Sequence, residues 1–437
     1  MEFTKKVRDY DNEESRLQNK TFKVQFGSDT DIGGGRQNQD KFLIFSRPLE
    51  KVYLFAVIDG HGAELGTIAA NTVRSCILDY MTYNFLEMKN NPVQTLNNIF
   101  ILSHNAIKDS FKIELTRKKC DFIETSNGYL MKSGFFTSNI VGGATCSVII
   151  IVDDNMYIAN VGDSSGVLFS KIPCLNQQRD VHCVYDFAFP EREKELHTKD
   201  DTSTSSDILS DLSSDLSSDF TNILFLTTDH SPNNPHEIKR INKIPVEKRI
   251  ILLYDGTNII FDPTNKNATP PGGYYKNVRN EYAIIARTPL SEPLLGLAMT
   301  RSLGDFKLNY YGISHLPEVH CIKLRDIMAS QKMHYSLITD TENKTKILNP
   351  LCIVLATDGV WDNWKFEDVK DCVMNDICLK DLTESSNGAQ HATESFMEIN
   401  NSYGEKNFGK NADNATCILI YISDEDNFKS IDEDTII

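Results

Sequence analysis

Several features that mark common classes of protein are missing from this sequence of 437 residues. It has no apolar stretch of about 18 residues, so no membrane span is expected. Its 10 cysteines include no C-x-x-C pair, which argues against a zinc site with paired ligands. Basic residues are outnumbered, since 45 Lys and Arg stand against 61 Asp and Glu and the net charge is −16. We therefore do not expect a protein that binds nucleic-acid backbones through clustered Lys and Arg.

The N-terminal residues, MEFTKKVRDYDNEE, lack the apolar core of a secretory signal, and Glu2 does not fit a myristoylation start. Cys352 and Cys417 lie inside apolar runs, which is typical of free thiols in a reducing compartment. We expect an intracellular protein, in the cytoplasm and/or the nucleus, and a monomer.

Short apolar runs that end in polar or Gly-rich residues predict the strands. These runs lie at 41–47, 51–60, 145–170, 222–229, 351–359 and 415–423. Helical patterns lie at roughly 64–88, 94–119, 234–241, 366–379 and 391–402. Because the strands cluster in hairpins and the long helices stand apart, the predicted class is α+β.

Two segments interrupt this pattern and are predicted to be loop insertions. Residues 171–221 are polar and end in a Ser/Asp-rich run, DTSTSSDILSDLSSDLSSDF, which is typical of disorder. Residues 242–292 contain DPTNKNATPPGGYY and are predicted to form a long loop. The predicted organisation is an extension over 1–22, one domain over 23–424 that carries both insertions, and an acidic tail over 425–437.

Acidic residues recur where predicted strands begin or end. Asp59, Asp163 and Asp358 follow apolar runs, whereas Asp40 and Asp413 precede them. One such acid would ordinarily cap a helix, but five of them predict a convergent cluster. Carboxylates packed together repel each other, and a divalent cation removes that cost.

A cluster of oxygen ligands favours hard ions, so the expected cofactor is Mg²⁺ or Mn²⁺ rather than zinc. Gly60 lets its backbone carbonyl approach an ion as a further ligand. Two ions that share a water lower the pKa of that water and supply a nucleophile at neutral pH. His61, at the same strand end, is then placed to protonate a leaving group.

Nine motifs in order extend this interpretation. They are GGGRQNQDKF, FAVIDGHGAE, GGATCSVIII, NVGDSSGVLF, LTTDHSPNNPHEIKRI, LAMTRSLGDF, LPEV, LATDGVWD and DNATCILI. Together they resemble the metal-dependent serine/threonine protein phosphatases of type 2C, over about residues 27 to 423.

The resemblance implies a fold and an activity for the domain over 23–424. The implied fold is an antiparallel β-sandwich flanked by helices, in four layers ordered αββα, with the metals at one end. The implied reaction is the hydrolysis of phosphoserine and phosphothreonine in proteins by a metal-activated water at a binuclear Mn²⁺ or Mg²⁺ site. Phosphoproteins are the implied partners.

Six residues resemble the metal ligands of that family, and they are Asp59, Gly60, Asp358, Asp413, Asp163 and Asp362. Asp59 resembles the family's acid that bridges the two ions, and Gly60 resembles the glycine that supplies its carbonyl. Asp358 and Asp413 resemble the acids that complete the shell of one ion. Asp163 and Asp362 resemble the acids that hold a third, more weakly bound ion in some members.

Three residues resemble catalytic groups of the family. His61 resembles the general acid, and Arg36 resembles the arginine that holds the phosphate through its planar guanidinium. Asp40 is implied to orient metal-bound waters. The chain departs from the family in having Gln39 where a Glu is frequent and Ser165 where an Arg is common, and Arg36 lies one residue closer to Asp40 than in many relatives.

Arg301 and Asp305 are both retained in the motif TRSLGD. Paired charges near a turn usually fix a loop, so we expect these two side chains to pair with each other in a structural role.

Three alternatives remain. A pseudophosphatase or scaffold of the same fold would bind phosphoproteins without turnover, although all four core ligands are present. A two-metal phosphodiesterase or nuclease would usually bring His ligands and a basic surface. A purely structural protein would use the acids as helix caps.

Overall fold

The computed structural model of the protein describes most of the chain. The described residues are 22–134, 136–172, 183–190, 222–254, 281–286, 295–338, 350–424 and 426–437. The predicted extension over 1–22 and the Ser/Asp-rich run lie almost entirely outside these residues.

Five antiparallel strands form the smaller of two main sheets. In spatial order they are Lys23–Asp31, Ala415–Ser423, Leu351–Ala356, Ser165–Ser170 and Ile223–Phe225. The strand Ala415–Ser423 is buried at every position, which explains its unbroken apolar run.

Seven antiparallel strands form the larger sheet. In spatial order they are Cys183–Asp186, Glu318–Lys323, Asn155–Val161, Cys146–Val152, Val52–Ile58, Lys41–Arg47 and Thr435–Ile436. The central strands Val52–Ile58 and Cys146–Val152 are also buried throughout.

The two sheets pack face to face on a shared apolar core. Phe26 of the smaller sheet meets Phe55 of the larger sheet edge-on, with ring centroids 5.4 Å apart. Ile149, Ile353 and Ile420 belong to the same buried cluster. Burial of both faces of each sheet is the main source of stability here.

Helices cover both outer faces. The larger sheet is covered by Ala63–Tyr83, Phe85–Asn90 and Pro92–Arg117. The smaller sheet is covered by Phe366–Val373, Asp376–Glu384 and Gly388–Phe408. The predicted class and its four layers, αββα, are therefore confirmed.

The other helices are short or lie at the periphery. They are Pro235–Asn242, Phe306–Asn309, Leu324–Ile338 and Asp358–Trp361, with 3₁₀ turns at Pro48–Glu50 and Gly409–Asn411. None of the helices in the described ranges is long and apolar enough to cross a lipid bilayer.

Three small sheets complete the described structure. The first contains Phe122–Thr125, Gly128–Ser133 and Phe136–Asn139. The second contains Gly60–His61, Gly143–Ala144 and Leu303–Gly304. The third contains Lys248–Tyr254, Glu281–Ala286 and Leu295–Leu297.

Parts of the predicted insertions and tail are ordered elements of the fold. Cys183–Asp186, inside the first predicted insertion, is an edge strand of the larger sheet. Two strands of the third small sheet lie inside the second, so its described part is not a plain loop. Phe428 of the tail is buried, and Thr435–Ile436 pairs with Lys41–Arg47. The boundaries of the domain as a whole stay a prediction.

A buried ion cluster ties these peripheral elements to the sandwich. The guanidinium of Arg301 donates to Asp186 at 2.9 Å and to Glu237 at 2.6 Å, and all three side chains are buried. Arg240 donates to Glu237 at 2.8 Å and to the carbonyl of Thr300 at 2.9 Å. Burial alone would raise the pKa of Glu237, but Arg301 and Arg240 outweigh that effect and hold it well below its usual value.

Removal of Arg301 should destabilise the protein strongly. In Arg301→Met the carboxylate of Asp186 loses its guanidinium while it stays buried, which typically costs about 3–5 kcal/mol. Arg325→Met is the matched control, because Arg325 pairs with the partly exposed Asp154 at 2.5 Å and such pairs contribute about 0–1 kcal/mol. Urea unfolding of both variants measures the free energy of unfolding. Equal losses in the two variants would contradict this account of the cluster.

Candidate metal and phosphate site

Antiparallel register brings the predicted acids to one end of the sandwich. In the larger sheet Lys41 is paired with Ile58, which places Asp40 and Asp59 at the same edge. In the smaller sheet Ala356 is paired with Cys417, so the residues just beyond this pair, Asp358 and Asp413, also lie at one edge. The end of one strand thus adjoins the start of its antiparallel neighbour in both sheets.

Asp59 lies at the centre of this group. Burial raises the pKa of its carboxyl well above the usual value, and repulsion by Asp40, Asp358, Asp413 and Asp163 raises it further. The structure therefore brings together five of the predicted acids within electrostatic reach of one another.

Asp40 is buried behind this group. Burial raises its pKa to about 7, with further repulsion from Asp358 and Asp413. The hydroxyl of Thr357 donates to its Oδ2 at 2.8 Å and partly offsets that rise. Its Oδ1 is buried and accepts no hydrogen bond from any described residue. This oxygen is thus available to a cation or to a water molecule.

Two hollows flank the acids. A cavity of about 700 Å³ is lined by Asp362 and Asp413 together with Gly33 and Gly34. A groove of about 510 Å³ is lined by Asp163 and Asp358 together with aromatic residues, which include Trp361. The acids therefore lie where a solute can reach them from both sides.

Gly60 is required by close packing. A Cβ at this position would lie 2.4 Å from the carbonyl oxygen of Gly66 and 2.9 Å from that of Gln39. Any side chain would force apart the start of the helix Ala63–Tyr83 and the loop before Asp40. Glycine here keeps the backbone beside Asp59 compact.

Arg36 lies on an exposed loop that is bound to the segment carrying Asp413. The amide of Gly34 donates to the carbonyl of Ala412 at 2.8 Å, and the amide of Gln39 donates to Oδ1 of Asn414 at 2.7 Å. Arg36 itself is exposed and forms no hydrogen bond or ion pair with a described residue. Its guanidinium is therefore free to contact an incoming anion.

His61 lies in the small sheet beside Gly143–Ala144, and its partner was not predicted. Its Nε2 is 2.6 Å from Oδ2 of Asp305, and the hydroxyl of Ser302 donates to the same oxygen at 2.7 Å. Burial of the imidazole opposes protonation, but Asp305 outweighs this effect and raises the pKa of His61.

The expected pairing of Arg301 with Asp305 is wrong. Arg301 points into the ion cluster with Asp186 and Glu237, whereas Asp305 binds His61. The physical reason is that a buried guanidinium has five N–H donors to satisfy, and Asp186, Glu237 and the carbonyl of Leu316 accept from Arg301 in the ion cluster. Sequence spacing within TRSLGD gives no signal for either long-range contact.

Comparison with known proteins agrees with the motifs. A family profile described as "Protein phosphatase 2C" matches residues 27–175 and 216–332, more than half of the chain. The chain belongs to the protein phosphatase 2C family.

Individual relatives of this phosphatase 2C chain are distant. "Probable protein phosphatase 2C 1" of Arabidopsis thaliana is 24% identical over 352 residues, which cover 77% of this chain and 54% of the relative. "Probable protein phosphatase 2C 34" of the same plant is 23% identical, over 74% of this chain and 62% of the relative. The chain thus spans just over half the length of these curated relatives.

Solved structures with a similar fold include the serine-threonine phosphatase 2C of Toxoplasma gondii. That structure is 15% identical, covers 92% of this chain and 95% of its own, and superimposes with a TM-score of 0.48. A serine/threonine phosphatase of S. agalactiae is also 15% identical, with a TM-score of 0.44 and coverage of 91% of this chain and 99% of its own.

The donor chemistry of this phosphatase 2C chain fits a hard divalent cation. Within the described part of the chain, no group of three or more His, Cys, Asp or Glu side chains is arranged so that it could hold a metal ion. The buried Asp40 Oδ1 and the raised pKa values of Asp40 and Asp59 nevertheless show carboxylates that lack a compensating positive charge. All-oxygen donors of this kind suit Mg²⁺ or Mn²⁺.

The repulsion among the acids should limit the stability of the metal-free protein. Because the folded-state pKa values of Asp40 and Asp59 are raised, the folded protein binds more protons than the unfolded chain. The free energy of unfolding should therefore fall as the pH rises from about 4 to about 7.

Asp59→Asn should raise the melting temperature of metal-free protein at pH 7 and remove the increase that Mn²⁺ causes in the wild type. The exposed Asp371→Asn is the control and should change neither quantity. Differential scanning calorimetry with and without Mn²⁺ measures both. A lower melting temperature for metal-free Asp59→Asn would contradict the repulsion.

Proposed function

We propose that this protein hydrolyses phosphoserine and phosphothreonine in proteins at a binuclear Mg²⁺ or Mn²⁺ site. The observation that carries the proposal is the burial of Asp59 among the like-charged Asp40, Asp358, Asp413 and Asp163. Such a cluster is costly in any structural role and is suited to binding cations. Membership of the phosphatase 2C family supports the reaction class.

The proposed metal ligands are chosen because they lie at the end of the β-sandwich where the acids are brought together. Asp59, the carbonyl of Gly60, Asp358 and Asp413 would hold two ions. Asp163 and Asp362 would hold a third, weaker ion. When bound, the ions supply positive charge that neutralises the acids and the phosphate and lowers the pKa of a water molecule.

Three side chains would act on the substrate and its water. Arg36, exposed on its loop, would bind the phosphate oxygens through paired N–H groups. Asp40, through the Oδ1 that no described residue occupies, would accept a hydrogen bond from a water molecule. His61, whose pKa is raised by the carboxylate of Asp305 against the opposing effect of burial, would donate a proton to the departing serine or threonine oxygen.

The chemistry of the surface fits protein substrates better than nucleic acids. The net charge of −16 disfavours binding to a phosphate backbone. We propose phosphoproteins as partners, a monomeric state, and action inside the cell, in the cytoplasm and/or the nucleus. Proteomic comparison of phosphorylation sites after depletion of the protein would identify the substrates.

The proposal is tested by comparing the Mn²⁺-dependent hydrolysis of a phosphopeptide by the wild type and by the Asp358→Ala variant. Wild-type protein should hydrolyse a phosphoserine peptide with Mn²⁺, and Asp358→Ala should lose this activity because one ligand is removed while the other acids still repel each other. Exposed Asp371→Ala is the control and should retain it. Binding of Mn²⁺ without turnover by the wild type would support a pseudophosphatase, and near-wild-type turnover by Asp358→Ala would exclude the two-metal site.

His61→Gln should separate substrates by their leaving group. Serine alkoxide is a poor leaving group and needs a proton, whereas nitrophenolate does not. General acid catalysis typically contributes about 10²–10⁴-fold, so kcat for a phosphoserine peptide should fall at least about 10²-fold. The loss on nitrophenyl phosphate should be much smaller. Equal losses on the two substrates would indicate that His61 is a structural residue.

A further inference from the structure

Asp305 forms a hydrogen bond with one of the two ring nitrogens of His61. Its Oδ2 lies 2.6 Å from Nε2 of His61 and also accepts the hydroxyl hydrogen of Ser302 at 2.7 Å. A carboxylate can only accept in such a contact, so the proton of the neutral imidazole lies on Nε2. Nδ1 is then the nitrogen that can receive and release a second proton.

Nδ1 of His61 lies on the side of the ring that faces away from Asp305. It is buried and has no hydrogen bond to any described residue. The ring lies within electrostatic reach of Asp163 and Asp358, two of the acids assigned above to the metal site. Of the two ring nitrogens, Nδ1 is therefore the one that no described residue already binds.

We propose that Asp305 is a positioning residue, which binds Nε2–H of His61 and so presents Nδ1 to the leaving-group oxygen of the substrate. The proposal rests on the function proposed above, and it names an atom and a partner that the general-acid assignment alone does not contain. A His without this contact could rotate or exchange the proton between its two nitrogens.

The backbone around Asp305 is built to hold this contact. Asp305 has φ +43°, in the left-handed region that residues other than glycine rarely adopt. Its amide donates to the carbonyl of Gly142 at 2.9 Å. A Cβ on Gly143 would lie 2.4 Å from Asp305 Oδ2, so glycine is needed there to leave room for the carboxylate.

Two further contacts fix the same loop. The amide of Gly304 donates to Nδ1 of His104 at 3.1 Å, and His104 stacks on His315 with ring centroids 4.0 Å apart. At the other end of the loop, Arg301 is held in the buried ion cluster. The carboxylate of Asp305 is thus positioned from both sides, as orientation of a catalytic group requires.

Two variants test the role of Asp305. In Asp305→Ala, kcat for a phosphoserine peptide with Mn²⁺ should fall about 10- to 100-fold with little change in KM, and the loss on nitrophenyl phosphate should be at least fivefold smaller. Asp305→Asn should recover part of the loss, because its side-chain carbonyl can still accept Nε2–H. The exposed Asp371→Asn is the control, and circular dichroism checks that each variant is folded.

A second readout does not depend on turnover or on metal. In ¹⁵N-labelled metal-free protein, NMR at a pH where His61 is neutral should show the Nε2–H tautomer in the wild type. Asp305→Ala should show a mixture of both tautomers, and His61→Gln identifies the signal.

The outcomes separate this proposal from the proposed function. If the wild type hydrolyses neither substrate, the phosphatase function fails while the tautomer measurement still reports on the contact. If the wild type is active but Asp305→Ala loses activity equally on both substrates, or leaves the tautomer unchanged, the positioning role of Asp305 is overturned.

Discussion

Repulsion among buried carboxylates is the constraint on which this structure depends. Asp59 is surrounded by four other acids, and burial leaves few water molecules to screen them. The fold compensates only part of this, for example through the hydroxyl of Thr357 on Asp40. The remaining unfavourable free energy of repulsion is offset by the packing of the sandwich, which holds the acids in place whether or not a cation is present.

The sandwich can do this because the acids are attached to its most rigid parts. Each lies within two residues of a strand end, and most positions in these strands are buried. Antiparallel pairing then fixes the neighbours, since a shift of one residue between Lys41 and Ile58 would move Asp40 away from Asp59 and turn an apolar face outward. The register that builds the core and the register that builds the site are therefore the same.

The sequence alone could predict the parts of the site that follow strand patterns. Asp59 and Asp358 stand directly after apolar runs, and such positions are visible without a structure. Asp305 could not be found in this way, because its contact with His61 spans 244 residues. Arg301 was paired wrongly for the same reason, since its partners Asp186 and Glu237 lie 115 and 64 residues away along the chain.

Ser165 shows why a departure from the family pattern need not loosen the site. Its hydroxyl donates to Oδ1 of Asp229 at 2.8 Å. The loop before it is fixed independently, because the amide of His230 donates to the carbonyl of Gly162 at 3.0 Å and the amide of Gly162 donates back to the His230 ring at 3.2 Å. The hydroxyl of Ser165 also donates to the carbonyl oxygen of Asp163 at 3.3 Å, so the backbone of Asp163 is held by this side chain together with the contacts between Gly162 and His230.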